Sequence, residues 1–282
     1  MKSILMATDL SARSDRALAR AIGLARDHSA DLTIVHVVDQ DLPESLADAQ
    51  SSAAKQAMMR HLETLAPDIR ARISVEVVFG RAHTDVLAMS ETTGAEIIVL
   101  GMHRDDTLSD MFLGTTVERT IRAGKIPVLL VKDQPSLPYR RIVIGVDFSV
   151  FARRAVEFAV KLVPDGEFHL VHAYSVPFSG FLSGTDTRRE VSGQKEAQFQ
   201  KMVDQEMAAF LAGLGEKAPR LERIMKEGTA REVIMQQVHR LESDLLVIGT
   251  HGRTGVANAL LGSVAKDLLR APPCDVLAVK AW

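Results

Sequence analysis

Glycines, small hydroxyl residues and a helix start at short spacing are the parts from which a chain can build a phosphate cradle. One such set runs Gly249, Thr250, His251, Gly252 and resumes after nine intervening residues with Gly262 and Ser263, heading the stretch VAKDLLR that opens on Val264. The apolar run 245–248 leads straight into it. Glycine admits positive φ and lets a backbone approach a ligand closely. Unpaired N–H groups at a helix start attract phosphate, and the helix dipole adds to the attraction. The Ser263 and Thr250 hydroxyls could donate further hydrogen bonds, and Arg253 could supply charge. The same residues also read as a tight turn between a C-capping and an N-capping position, with Arg253 solvated. The spacing is neither GxxxxGK[ST] nor a GxGxxG following a strand.

Asp147 ends another apolar run. A carboxylate there can accept hydrogen bonds from ribose hydroxyls, or it can join Ser149 in capping the next helix. His36 and His172 stand at equivalent points, as do His103 and His251, and no His, Asp or Cys set has metal-ligand spacing. His36 and His172 read as packed residues with one ring nitrogen bonded locally. Cys274 is the sole cysteine; it excludes an internal disulfide and reads as a buried, inert thiol. No GxSxG is present and no residue stands out as catalytic. Nucleotide hydrolysis would need a positioned water and usually Mg²⁺.

The elements that must carry these residues occur twice. KSILMATDLS (2–11) matches RRIVIGVDFS (140–149), DLTIVHVV (31–38) matches EFHLVHAY (167–174), FGRAHTDVL (79–87) matches EGTAREVIM (227–235), and AEIIVLGMHRD (95–105) matches SDLLVIGTHGR (243–253). Asp9 falls opposite Asp147, and Gly80 opposite Gly228. From Gly80 to Lys132 the offset is constant at 148 residues, against 138 at Asp9 and 136 at His36. The second copy therefore carries an insertion, placed at 177–193, where Pro177, Phe178, Phe181 and Leu182 form an apolar connection that is either a flap, a subunit contact or a loop packed on its own domain.

Short runs of Ile, Val and Leu predict strands at 3–8, 32–38, 73–79, 96–101 and 127–131, then at 141–146, 168–174, 221–226, 244–249 and 275–279. Amphipathic stretches predict helices between them, capped first by Ser11 or Ser14 and including a long one at 46–65. Strict alternation implies parallel sheets with right-handed crossovers. The fold class is α/β: two tandem three-layer domains, 1–133 and 139–282, each with a five-stranded, mainly parallel sheet. The linker 133–138 holds two prolines.

With this repeat and the G-x2-G-x9-G-[S/T] spacing of Gly249, Gly252, Gly262 and Ser263, the chain resembles a tandem member of the universal stress protein family, once per half. The resemblance implies an adenine-nucleotide α-hydrolase-like fold whose domains pair through their last strands as a pseudo-dimer, with 128–131 antiparallel to 277–280. It implies ATP or another adenine nucleotide as ligand, with Mg²⁺ as an optional companion. Asp147 would approach the adenosine, the Ala173 backbone would read the adenine, and Ser263 and Val264 would lie near phosphate. It implies a stress-response or signalling role, with a slow ATP hydrolase or a scaffold with vestigial or non-nucleotide pockets as alternatives.

The first copy departs from that pattern. Its loop reads Gly101, Met102, His103, Arg104, then Gly114 and Thr115, so Arg104 replaces the second glycine and Asp105, Asp106 and Asp110 follow. A bulky side chain crowds a cradle and carboxylates repel phosphate. The nucleotide is therefore expected mainly in the second domain, with a salt bridge from Arg104 to Asp105 or Asp106 across the first cradle.

Net charge is −2, with 15 Lys and Arg against 19 Asp and Glu up to residue 138, and 19 against 17 beyond. No basic stripe suggests a nucleic-acid partner. No apolar run reaches 18 residues, so no membrane span is expected and a cytoplasmic location follows by default. Association of two chains into a homodimer and the identity of a regulatory protein partner are left open.

Overall fold

The computed structural model describes residues 1–102, 115–135, 137–175, 186–214, 221–252 and 261–280. The first copy runs β1 (Ser3–Thr8), α1 (Ala12–His28), β2 (Asp31–Asp39), α2 (Glu44–Glu63), α3 (Pro67–Arg70), β3 (Ile73–Gly80), α4 (Ala82–Thr92), β4 (Ile97–Gly101), α5 (Thr115–Ala123) and β5 (Val128–Val131). The second runs β6 (Arg141–Gly145), α6 (Val150–Leu162), β7 (Glu167–Tyr174), α7 (Asp186–Ala212), β8 (Leu221–Glu227), α8 (Ala230–Arg240), β9 (Leu245–Gly249), α9 (Ser263–Arg270) and β10 (Asp275–Val279).

The strands form one sheet in the order β3-β2-β1-β4-β5-β10-β9-β6-β7-β8. Every neighbouring pair is parallel except β5 with β10. The central strands are apolar because helices cover both faces: Ile4, Leu5, Met6, Ile97, Ile98, Leu245, Leu246 and Val247 are fully buried. The outermost strands β3 and β8 mix exposed and covered positions. One core cluster packs α1, α2, α6 and the end of α7 on one face, and the other packs α4, α5, α8 and α9 on the opposite face. Both clusters run through both copies.

The antiparallel ladder pairs Leu129 with Leu277, Val128 with Ala278 and Leu130 with Val276. Leu129 and Leu277 are equivalent at the 148-residue offset, so a pseudo-two-fold axis passes between them. This corrects the expected register, which set 128–131 against 277–280. Lys280 lies beyond the ladder and its Nζ donates to Arg122 O at 2.7 Å.

Local boundaries follow capping chemistry. Ser11 caps α1 by accepting from Ser14 N, and Ser149 caps α6 by accepting from Ala152 N. The long helix expected at 46–65 starts two residues earlier, at Glu44. The short α3, with Pro67 in its first turn, was not expected; proline favours that position because a helix's first N–H groups have no internal acceptor. Helix α7 has 27 residues against 20 in α2, and its first turns occupy part of the expected insertion. The expectations for Pro177, Phe178, Phe181 and Leu182 lie outside the described residues.

Candidate functional site

In each half the chain winds outward from its first strand in one direction and then crosses to the other side. β6 leads to β7 and β8, then back past β6 to β9 and β10. The carboxyl ends of β6 and β9 thus flank a topological switch point, where open α/β sheets form a crevice. Asp147 follows β6; Gly249 closes β9 and Gly252 follows it. Ala173, near the end of β7, lies on the same carboxyl edge.

The turn after β6 is shaped by Phe148, whose φ is 63°. This left-handed conformation is costly for a bulky residue, and Leu10 repeats it in the first copy at 61°. It carries the chain so that Asp147 Oδ1 accepts from Ser149 N at 3.1 Å, while Ser149 caps α6. The capping reading of this pair is thus realised in the fold. Phe148 packs against the His172 ring at 4.2 Å between centroids.

Gly252 sits directly before this carboxylate. A Cβ there would stand 3.0 Å from Asp147 Oδ2, so any larger residue intrudes on the Asp147 side of the crevice. Gly262 is the N-cap of α9 and makes no side-chain cap bond. The first N–H groups of α9, at Ser263 and Val264, therefore receive no acceptor from their own cap, unlike those of α1, α6 and α8. The first turn of α9 holds no acid and is followed by Lys266. The Gly262 N–H is spent on Thr250 O at 2.9 Å, which closes the loop back on itself.

Ser263 is the first residue of the helix, directly after its Gly262 cap, which agrees with the expected helix start. Two other expectations need correction. Neither Gly249 nor Gly252 has positive φ; among the described residues the glycines that do are Gly94 and Gly228. Gly249 is tightly packed: a Cβ there would stand 3.0 Å from Phe151 Cβ at the start of α6. Thr250 is 1% exposed; its hydroxyl shares a 2.9 Å hydrogen bond with His251 Nδ1, and its N–H is bonded to Val279 O. Its hydroxyl and its N–H are thus both engaged in bonds within the fold. Arg253 lies outside the described residues, as do His103, Arg104, Asp105, Asp106, Asp110 and Gly114.

The first copy contains the equivalent turn with more bonds. Asp9 Oδ1 accepts from Ser11 N at 2.9 Å, Ser11 Oγ at 2.6 Å and Ser14 Oγ at 2.5 Å. Partial burial acts to raise the Asp9 pKa, but these hydrogen bonds outweigh it and leave the carboxyl below its ordinary value. Beside it, at the β1–β4 switch point, lies a cavity of about 330 Å³. His36 Nδ1 donates to Thr8 O at 2.9 Å, and His172 Nδ1 does the same to Val146 O at 2.8 Å, as expected for locally bonded rings.

The residues that lock the two copies together were not foreseen. Asp275 is 2% exposed and accepts from Lys132 N at 2.8 Å, Asp133 N at 3.2 Å and Tyr139 Oη at 2.6 Å. Arg20 Nε lies 3.3 Å from it, and the Arg20 guanidinium stacks 3.9 Å over the Tyr139 ring. The available signal was the repeat itself, since Asp275 replaces Pro127 at the 148-residue offset. Cys274, adjacent, is a buried free thiol whose pKa is pushed well up by burial and by the neighbouring Asp275 charge. Among the described residues no cluster of His, Cys, Asp or Glu is arranged to hold a metal, and no helix is long and apolar enough to cross a membrane.

A doubly wound α/β domain repeated in tandem, with its crevice at the switch point, defines the class of protein. The universal stress protein family model matches residues 1–132 and 138–280, and the chain belongs to that family. A universal stress protein E homolog from Haemophilus influenzae is 24% identical over 306 residues, covering 99% of this chain and 97% of the relative. A universal stress protein from Mycobacterium tuberculosis strain H37Rv is 26% identical over 299 residues, covering 98% and 96%. The solved universal stress protein from Archaeoglobus fulgidus DSM 4304 shares the fold with a TM-score of 0.67 at 21% identity, covering 99% of this chain and 98% of that one.

Proposed function

We propose that the second domain binds an adenine nucleotide, ATP included, in the crevice between β6 and β9, and that the chain acts as a nucleotide-responsive stress or signalling protein. The observation that carries this reading is the bare glycine start of α9 together with the side-chain-free Gly252 in front of Asp147. The first offers unpaired N–H groups and the positive end of a helix dipole to phosphate. The second keeps open the space through which the ribose would reach the carboxylate.

The residues fit such a ligand in type and in order. Asp147 Oδ2 accepts from ribose hydroxyls, and the backbone at Ala173 on the same sheet edge reads the base. Ser263 and Val264 N–H groups bind phosphate, with the exposed Ser263 hydroxyl and Lys266 nearby. Gly249 and Thr250 serve indirectly, by seating the loop. Mg²⁺ would arrive with the phosphates, held mainly by their oxygens and water. No side chain is assigned a catalytic role, so binding rather than turnover is the activity proposed.

Calorimetric titration of the whole chain with ATP tests this. One equivalent per chain is expected, lost when Gly252 is replaced by arginine and retained when Thr115 is replaced by alanine. Two equal sites, no binding, or indifference to the Gly252 change would each reject the assignment.

A further inference from the structure

The 148-residue offset lets the two halves be compared position by position. In the helices it sets Glu118, in the first turn of α5, against Lys266 of α9. At the two ends of the sheet it sets β3 against β8, and there the difference decides what each edge can accept. Among the described residues β3 pairs only with β2, and β8 only with β7. Each therefore turns one row of backbone N–H and C=O groups outward.

Two hydrogen bonds identify that row in β3. Leu32 N donates to Arg72 O at 2.9 Å, and Gln40 N donates to Gly80 O at 3.4 Å. Backbone groups alternate sides along a strand. The even-numbered residues from 72 to 80 thus face β2, and the backbone groups of Ile73, Val75, Val77 and Phe79 face outward. Gly228 N, bonded to Tyr174 O, fixes the same alternation in β8, where the outward groups belong to Leu221, Arg223, Met225 and Glu227. Natural sheets guard an open edge with charge. In β8, Arg223 and Glu227 do so, with the exposed Glu222 and Lys226 beside them. The outward row of β3 carries no charge. Its residues are β-branched or aromatic, the types that favour strands, and Phe79 is 51% exposed.

A second copy of β3 matches this edge. Two copies meet antiparallel about a two-fold axis. An axis at Val77 sets Val77 opposite the second copy's Val77, and Val75 opposite its Phe79. These residues exchange both N–H···O bonds with each other. Their side chains pair on the face where Ile73, Val75 and Val77 already meet the core. The one acid of β3, Glu76, then falls opposite Val78. An axis at Glu76 would instead bring two carboxylates face to face at the closest spacing of the ladder, which is destabilising. Larger shifts in either direction shorten the overlap. Charge thus selects the Val77 register.

We infer that the outer edge of β3 is an interface between two copies of this chain, paired antiparallel about Val77 into one continuous sheet. This interface is independent of the nucleotide reading for the second domain.

Sedimentation velocity of the whole chain over a concentration series should show monomer and dimer in exchange. Phe79→Glu gives β3 the residue that β8 carries at the equivalent position. Val77→Pro removes an outward N–H and leaves the bonds to β2 in place, as proline is tolerated on the open side of an edge strand. Each should weaken the dimer about tenfold or more, the scale of one lost hydrogen bond. Phe79→Glu keeps the test valid should Val77→Pro unfold, because the Phe79 side chain is already half exposed. Residue-resolved amide exchange locates the contact. The Val75, Val77 and Phe79 amides should slow as chain concentration rises, while those of Ser74, Glu76 and Val78, which face β2, should not change. The inference is overturned by a chain that stays monomeric throughout the series, by a dimer indifferent to Phe79→Glu, or by exchange at those three outward amides that ignores concentration.

Discussion

Tyr139 Oη donates a 2.6 Å hydrogen bond to Asp275 Oδ2, so the chain entering the second domain is bonded to the strand along which the two domains meet. The same carboxylate receives the Lys132 and Asp133 N–H groups leaving the first domain. One buried side chain therefore fastens both ends of the linker. Its removal should be felt well beyond its own strand. Asp275→Ala leaves the largely buried Arg20 without its counter-charge and is expected to cost about 3–5 kcal/mol, the usual range for breaking a buried pair from one side. Tyr139→Phe, which removes a single hydrogen bond to that carboxylate, should cost about 1.5–3 kcal/mol. Urea denaturation measures both, and equal small losses would show that the linker is not held this way.

The Tyr139 phenol also makes stability depend on alkaline pH. Burial, and then the Asp275 charge, raise its pKa well above the ordinary 10.0. In the unfolded chain the phenol ionises near 10, while in the folded chain it keeps its proton. Its contribution is therefore complete below pH 10 and declines as pH rises above it. Stability above pH 10 should fall more steeply in the parent chain than in Tyr139→Phe. The slope that remains in the variant includes Cys274, whose pKa is raised in the same direction.

Gly249 and Gly101 are expected to behave alike, although only one belongs to the proposed nucleotide domain. An added Cβ meets Phe151 Cβ at 3.0 Å in one case and Arg13 O at 3.0 Å in the other. Each alanine variant should lose about 1–3 kcal/mol through overpacking at the start of a helix. Thermal unfolding compares them. A Gly249→Ala variant of undiminished stability that no longer bound ATP would instead return Gly249 to direct ligand contact.

The charge exchanged between the two halves supplies a graded test. Lys266→Glu gives α9 the residue that α5 carries. Helix-terminus charges are worth about 0.3–1 kcal/mol each when exposed, so reversal should weaken ATP roughly three- to thirtyfold, less at high salt. Affinity that ignores both the reversal and the salt would remove Lys266 from the phosphate's surroundings.

The repeat made the ten strands and their order along the chain legible, because alternating apolar runs and amphipathic stretches are local patterns. The nucleotide loop was legible as a motif, but its division of labour was not. Thr250 and Ser263 are both hydroxyl residues near glycines, yet one is buried against His251 and the other is exposed on the first turn of α9. Sequence spacing cannot distinguish them, since the difference lies in which way the backbone faces after Gly249. Asp275 is not legible from its own segment, because a carboxylate opening an apolar strand gains meaning only when a distant linker is folded over it.

What the residues alone determined is the duplicated α/β architecture, the covered strands and the carboxyl-edge position of Asp9, Asp147 and the glycine loop, all consequences of periodicity and local capping. What only the folded chain decided is the Leu129–Leu277 axis, the Asp275 anchor and the buried His36–Thr8 hydrogen bond. These depend on groups more than a hundred residues apart, or on strands brought side by side, and their energies arise from burial that no single segment possesses.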